Sequence, residues 1–371
     1  MKSIYHKSSS AIVIISIVLA FLMVVTSGCA KKEEKEIKIG AILPLTGDAA
    51  LAGTNTREGI DLAVDEINKV GLNGKKIRVI YEDTQADPKT AVSAVNKLIN
   101  VDQVQYIIDD SISSVTLSVA PIVEKSKVVL LSTGATAPKI SQAGNFVFRI
   151  WNSDALEGEE IAKYAVDSLK IKNVGILYIN NDYGIGLAEV FKFQIDQKGL
   201  TSVHIESFDQ GALEHRTQLA KILSADPEAI YLVGYSKDCI RIIQQAKEMK
   251  FRGIWLGTTV MLDPSVTNVV MKNKYTLYYP APMIPDTSSL GVKVFKERFM
   301  AKYQKDAPAL ADVGYDAVML LKKTIELGNG LNGENIRAGL MRIKAYEGAS
   351  GLIEFDKNGD VHKPIEIKQL T

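Results

Sequence analysis

From residue 37 onward the chain repeats one pattern, a short apolar run followed by a longer stretch whose apolar residues recur at helical spacing. βα units produce that alternation: a strand buried on both faces reads as a continuous apolar run, whereas the crossover helix buries one stripe. The first half gives strands at Ile37–Leu43, Ile77–Tyr81, Tyr106–Ile108 and Val128–Leu131. After Phe146–Arg149 the alternation starts again, with strands at Val174–Ile179, Val203–Ser207, Ile230–Gly234 and Ile254–Leu256. Two similar α/β halves are therefore expected, in keeping with a length of 371 residues. The segment Leu290–Ile343 reads as three helices with no strands of their own, so they must cover a face of an earlier sheet. Gly351–Glu354 and Ile365–Lys368 read as strands around an Asn358-Gly359 turn.

The first 28 residues stand apart. Lys2 and Lys7 precede an uncharged apolar run, Ala11–Val25, too short for a membrane span, and Thr26-Ser27-Gly28-Cys29 follows. The ending resembles a bacterial lipobox, in which Cys29 takes a diacylglycerol group and becomes the first mature residue; the alternative is an uncleaved anchor helix. Residues 29–36 contain Lys31–Glu36 (KKEEKE), a charged tether with nothing to bury. Lys plus Arg number 44 against 43 Asp plus Glu, so bulk charge implies no nucleic-acid partner. Besides Cys29 only Cys239 remains, which excludes an internal disulfide and a cysteine metal cluster. Cys239 shares helical spacing with Ile242, Ile243 and Ala246, the pattern of a core thiol. His204, His215 and His362 are isolated, and no nucleophile elbow, P-loop or zinc-protease motif occurs. No enzyme activity, cofactor or metal is expected.

In open parallel sheets ligands bind beyond the strand C-terminal ends. There the sequence places Ser113 at a helix start and the small-residue loop Ser132–Pro138, with Gly134, Ala135 and Thr136, where a ligand can approach the backbone. Ordinary caps and turns would use the same residues. Asp109 and Asp110, at a strand end, read as solvated turn carboxylates, the alternative being a cation-attracting rim. Asp154 either pairs with a ligand ammonium or favours the start of its own helix, and Trp151 either walls a cleft or packs in a hinge.

Four segments then carry a resemblance: Ile39-Gly40-Ala41-Ile42-Leu43-Pro44-Leu45-Thr46-Gly47, Gly59-Ile60-x-Leu62-Ala63-Val64-x-Glu66-Ile67-Asn68, Asp87-Pro88-x-x-Ala91-Val92, and Ser132-Thr133-Gly134-Ala135-Thr136-Ala137-Pro138. Their order and spacing resemble the branched-chain amino acid binding proteins of ABC transporters. The resemblance implies a type I periplasmic-binding fold: two Rossmann-like lobes with parallel central sheets, joined by a three-segment hinge. Lobe 1 would be 37–149 plus 281–347, and lobe 2 would be 150–280 plus 348–371. It implies that Ser113, Gly134, Ala135 and Thr136 grip a ligand's carboxylate and amino groups. Tyr183 and Tyr235 would cover the ligand from lobe 2, the alternative being scaffold aromatics. The family's acid for the ammonium group is matched by neutral Thr259, and Ala52 stands where a ring is common. Unless Asp154 substitutes, that pocket suits a carboxylate or amide lacking the ammonium.

The function implied is an exported, lipid-anchored, monomeric solute-binding protein for an amino acid or related carboxylate or amide, delivering it to a permease with its ATPase subunits. A ligand-sensing ectodomain partner of a signalling receptor is the alternative.

Overall fold

The computed structural model describes residues 36–47, 49–200, 202–283, 289–328 and 330–371. The export segment, Cys29 and most of the tether lie outside the described residues. Among the described residues no helix is long and apolar enough to cross a membrane.

The first sheet joins β1 (Glu36–Leu43), β2 (Lys76–Asp83), β3 (Tyr106–Asp109), β4 (Val129–Ser132) and β5 (Val147–Arg149) in the order β2-β1-β3-β4-β5, all parallel. Side chains alternate between its two faces. Ile39, Ala41, Leu43, Ile108, Leu131 and Phe148 enter one core, while Ile42, Ile107, Leu130 and Val147 enter the other. The second of these cores is closed by α2 (Pro88–Asn100) and α3 (Ser113–Ser126). Asp87 caps α2 by accepting from the Thr90 amide, with Pro88 as its first residue, as the sequence requires.

The first core is closed by α1 (Ala50–Val70) together with α9 (Leu290–Tyr303), α10 (Ala311–Glu326) and α11 (Gly333–Arg342). These last three are the helices that had no sheet of their own. Gly59 sets how closely α1 meets α10, because a Cβ there would stand 1.8 Å from the Ala311 carbonyl oxygen.

The second sheet runs β13-β10-β9-β8-β6-β7, built from β6 (Asn173–Ile179), β7 (Ser202–Phe208), β8 (Ala229–Val233), β9 (Ile254–Leu256), β10 (Leu277–Pro282) and β13 (Ile365–Leu370). Only β13 is antiparallel to its neighbour. Its helices are α4 (Asp154–Lys163), α5 (Asp182–Gln197), α6 (Arg216–Leu223), α7 (Ser236–Glu248) and α8 (Pro264–Lys272). Cys239 is buried in this core, where burial pushes its thiol well above the ordinary range.

The tail departs from the expected hairpin. β12 (Gly351–Ile353) pairs with β11 (Tyr346–Gly348), and β13 leaves for the second sheet. Buried Arg149 explains the separation: its amide donates to the Gly359 carbonyl and its guanidinium pairs with Asp360, pinning the Asn358-Gly359 turn to the end of β5. Ala349, Ile353, Phe355 and Val361 accordingly pack in the first lobe's core. The boundary expected at 348 therefore falls near residue 361. At the crossing, the Asn152 side chain exchanges two hydrogen bonds with the Lys363 backbone (2.8 and 2.7 Å), and the Met283 amide donates to the Pro364 carbonyl (2.7 Å). Three chain crossings are thus tied side by side.

Candidate functional site

Both sheets have a switch point where strand order reverses, between β1 and β3 in the first and between β6 and β8 in the second. The segments leaving β3, β6 and β8 carry Ser113, Tyr183 and Tyr235. Tyr183 and Tyr235 stack with centroids 5.6 Å apart and planes 12° apart. Tyr235 packs against the cores of both lobes, so the lobes are closed on one another. At the rim Lys139 of the first lobe faces Asp182 of the second at 3.8 Å.

The first-lobe wall is built as a self-satisfied loop. The Ser113 hydroxyl accepts from the amides of Thr136 (3.2 Å) and Ala137 (3.1 Å), and the Ser132 hydroxyl accepts from the Ala135 amide (3.1 Å). Arg149 donates to the Thr136 and Ala137 carbonyls, and the Asp154 amide also donates to the Thr136 carbonyl (2.8 Å). Ser113, Ala135 and Thr136 are buried, and Gly134 lies against Ser111, where a Cβ would come within 2.8 Å of the serine Cβ.

The second-lobe wall holds what sequence reasoning missed. Glu157, one helical turn after Asp154 on α4, receives the Thr259 amide on Oε1 (2.7 Å) and the Thr259 hydroxyl on Oε2 (3.0 Å). The position read as lacking an acid therefore has one, supplied from another helix. Thr259 itself spends its hydroxyl on Glu157 rather than standing free. Asp154 is fully buried, and neither carboxylate oxygen has a partner at full hydrogen-bond geometry among the described residues, while the Thr136 hydroxyl is near enough to favour its charged form. Its neighbour Tyr231, on β8, also buries an unpartnered hydroxyl. The Tyr183 hydroxyl donates to Thr258 Oγ1 at 3.0 Å.

The sequence did contain a signal. Asp154, Glu157, Gly158 and Ile161 lie on one buried helix face, so two carboxylates occupy positions where core residues belong. Gly158 permits the close seating, since a Cβ there would meet Val190 Cγ1 at 2.8 Å.

Asp109 and Asp110 correct another expectation, for both are buried rather than solvated. The Thr116 hydroxyl donates to Asp109, and the Ile112 amide donates to Asp110 at 2.6 Å. Trp151 is half-buried against the first lobe's core, with Lys363 Nζ 5.9 Å from its ring centre. Ala52 is half-buried in the first turn of α1.

Burial dominates the electrostatics. It raises Asp109 and Glu157 each to about 7 and Asp316 to about 6. It also raises Asp154 well above the carboxylate range, with the negative charge of Glu157 adding to the effect and Thr136 and Arg149 opposing it. The folded protein thus keeps protons that the unfolded chain has lost. Stabilisation from these groups is present below the unfolded value of about 4 and disappears as pH rises through their folded values. The solute-free protein should accordingly have a lower urea midpoint at pH 8 than at pH 5, and Glu157→Gln should reduce that difference. Equal midpoints for the native sequence would contradict the burial of these acids.

The likeness to known proteins follows the same architecture. Residues 36–370 match the periplasmic binding protein family. A Leu/Ile/Val-binding protein homologue from Brucella melitensis is 28% identical over 345 residues, covering 91% of this chain and 92% of that protein. A leucine-, isoleucine-, valine-, threonine- and alanine-binding protein from Pseudomonas aeruginosa is 27% identical, covering 88% and 87%. The crystal structure of a leucine-binding protein from Thermotoga maritima superposes with a TM-score of 0.83 at 30% identity, covering 89% of this chain and 94% of that one. A Rhodopseudomonas palustris solute-binding protein in complex with benzoate, 18% identical with a TM-score of 0.81, shares the fold over 91% and 93%. The chain belongs to the periplasmic binding protein family, whose members are extracytoplasmic solute-binding proteins and not enzymes.

Proposed function

We propose that this protein captures an amino acid or a closely related amine-bearing carboxylate or amide between its lobes and delivers it to an ABC permease. The observation that carries this reading is Asp154, a fully buried carboxylate with neither oxygen at full hydrogen-bond geometry to a partner among the described residues, beside Glu157 and the Tyr231 hydroxyl. Burying a carboxylate without a partner is costly, and a ligand ammonium removes that cost. In this reading the loop that Ser113 holds through the Thr136 and Ala137 amides meets the solute's polar end, and the stacked Tyr183 and Tyr235 rings give flat apolar cover. The relatives named for leucine, isoleucine and valine support an amino acid as the solute class. In this reading the lobes, 36–149 with 289–361 and 150–282 with 365–371, hinge at the three tied crossings around Asn152, Met283 and Lys363.

The direct test is mass spectrometry of solute retained through purification, followed by calorimetry with that compound. Ser113→Ala and Thr136→Ala should each weaken binding by about 1–3 kcal/mol, the usual cost of leaving a buried polar partner unmatched. Unchanged affinity in both variants would remove the first-lobe wall from the site.

The same reading makes the protein a lipoprotein. Ser27-Gly28-Cys29 closes the export segment, and Cys29 as first mature residue would carry the lipid that holds the protein to the outer face of a membrane. Cys29→Ser should release the protein into the soluble fraction. A Cys29→Ser form that is still cleaved and still membrane-bound would contradict the anchor.

A further inference from the structure

A cavity of about 180 Å³ opens at the edge of the first sheet, where the loop before β5, α11 and the Asn358-Gly359 turn meet. Ser141, Asn145, Phe148, Arg337, Lys357 and Asn358 line it, and none of the residues that build the cleft walls does. Its charge is one-sided, with two cations in the lining and no carboxylate. Elsewhere in this lobe cations find acids, Lys344 with Glu354 and Lys127 with Glu334. Among the described residues neither Arg337 nor Lys357 has a carboxylate within ion-pair distance. Arg337 is held by its own lobe: Nε donates to the Asn145 carbonyl at 2.8 Å and the guanidinium lies 5.9 Å from the Phe146 ring centre, which leaves its terminal nitrogens to donate. The Ser141 hydroxyl accepts from Arg149 Nη2 at 2.6 Å and donates to no group among the described residues, so its proton is free for an acceptor in the cavity. The nearby acids are engaged elsewhere. Glu124 accepts from Asn145 Nδ2 and the Phe146 amide, Asp356 from the Asn358 and Asp360 amides, and Asp360 from Arg149.

We propose that this cavity is a second ligand site, for a phosphate group, held by the Arg337 guanidinium, the Lys357 ammonium and the Ser141 hydroxyl. Two like charges lining one small cavity repel, and a dianion between them replaces that repulsion with attraction. A guanidinium fork alone satisfies the two coplanar oxygens of a carboxylate; a fork, a point charge and a hydroxyl from three separate segments suit the tetrahedral oxygens of phosphate. Bound there, the anion joins the loop at 141–145, α11 and the turn at 357–359, segments far apart in sequence that meet only in the folded lobe. It therefore stabilises the folded protein by mass action. Every lining residue belongs to the first lobe, so the site needs no lobe closure and is independent of how the cleft holds its solute.

The test is calorimetry at constant ionic strength with inorganic phosphate, sn-glycerol 3-phosphate and succinate as probes, each with and without the solute retained through purification. One phosphate per chain should bind whether or not the solute is present. Lys357→Ala and Arg337→Gln should each weaken phosphate at least about tenfold, the scale of one hydrogen bond to a charged group, and leave the solute's affinity unchanged. Phosphate should also raise the urea midpoint of the native protein more than that of Lys357→Ala, a comparison that removes the general stabilisation any such salt gives. Lys357 is exposed, and its variant decides the matter if Arg337→Gln does not fold. Tighter binding of sn-glycerol 3-phosphate would name a phospholipid headgroup as the source, and tighter binding of inorganic phosphate the free ion; either result supports the site. No binding of either phosphate probe up to about 10 mM would overturn the proposal. So would phosphate binding undiminished in folded Lys357→Ala, displacement of phosphate by the solute, or succinate binding more tightly than both phosphate probes.

Discussion

Replacing Asp360 with alanine is expected to lower folding stability by about 3–5 kcal/mol, because it leaves Arg149 charged and unpaired in the interior. Arg149 is fully buried and forks onto Asp360, Nε to Oδ1 at 2.7 Å and Nη2 to Oδ2 at 3.0 Å. The same guanidinium holds the Thr136 and Ala137 carbonyls, so the loss extends to the ligand wall and binding should weaken as well. Urea unfolding measures the first effect and calorimetry the second. An exposed pair provides the contrast. Lys127 and Glu334 are both more than half exposed, and Glu334→Ala should change stability by less than about 1 kcal/mol. Similar losses in the two variants would mean that Arg149 is not the pin joining the tail to β5.

Asp154→Asn is expected to weaken solute binding by about 2–5 kcal/mol, the range for removing one member of a buried charge contact. Glu157→Gln should cost less, since an amide oxygen can still accept from the Thr259 amide while the second acceptor and the charge are lost. The two effects should not add, because the carboxylates lie one helical turn apart and feel each other's charge. Binding by the native protein should also tighten as pH rises through about 7, where Glu157 loses its proton, provided the solute keeps its ammonium charged. Affinity independent of pH between 6 and 8 would argue that no ionised carboxylate meets the solute.

The elements of this fold were legible because their signals are local. Parallel strands show as apolar runs, helices as periodic stripes, and Asp87-Pro88 fixes a helix start by capping chemistry alone. The tail was misread because its partners are far away in sequence. Nothing near Asn358-Gly359 announces that Asp360 belongs to Arg149, 211 residues earlier, and without that pairing two strands flanking a turn look like a hairpin. The site divided in the same way. Ser113 and Thr136 stand beside strand ends, where a local reading looks first, and the two tyrosines were named from family likeness. Glu157 was missed because the acid was sought at Thr259, where the chain leaves β9, whereas the fold brings it from α4, 102 residues away. Asp109 and Asp110 were taken for surface groups because a charged pair after a strand usually is one. Here α3 folds back over them, and Thr116 and the Ile112 amide supply their partners.

The central claim is that an ammonium group on the solute meets the carboxylates of the second lobe. A chemical double-mutant cycle tests it most directly: calorimetry of the retained solute and of its des-amino analogue, each with native protein and with the Asp154→Asn, Glu157→Gln double variant. The account predicts that removing the amine costs the native protein at least about 1.5 kcal/mol more than it costs the variant, the scale of a hydrogen bond to a charged group. An equal cost of amine removal in both proteins would contradict it.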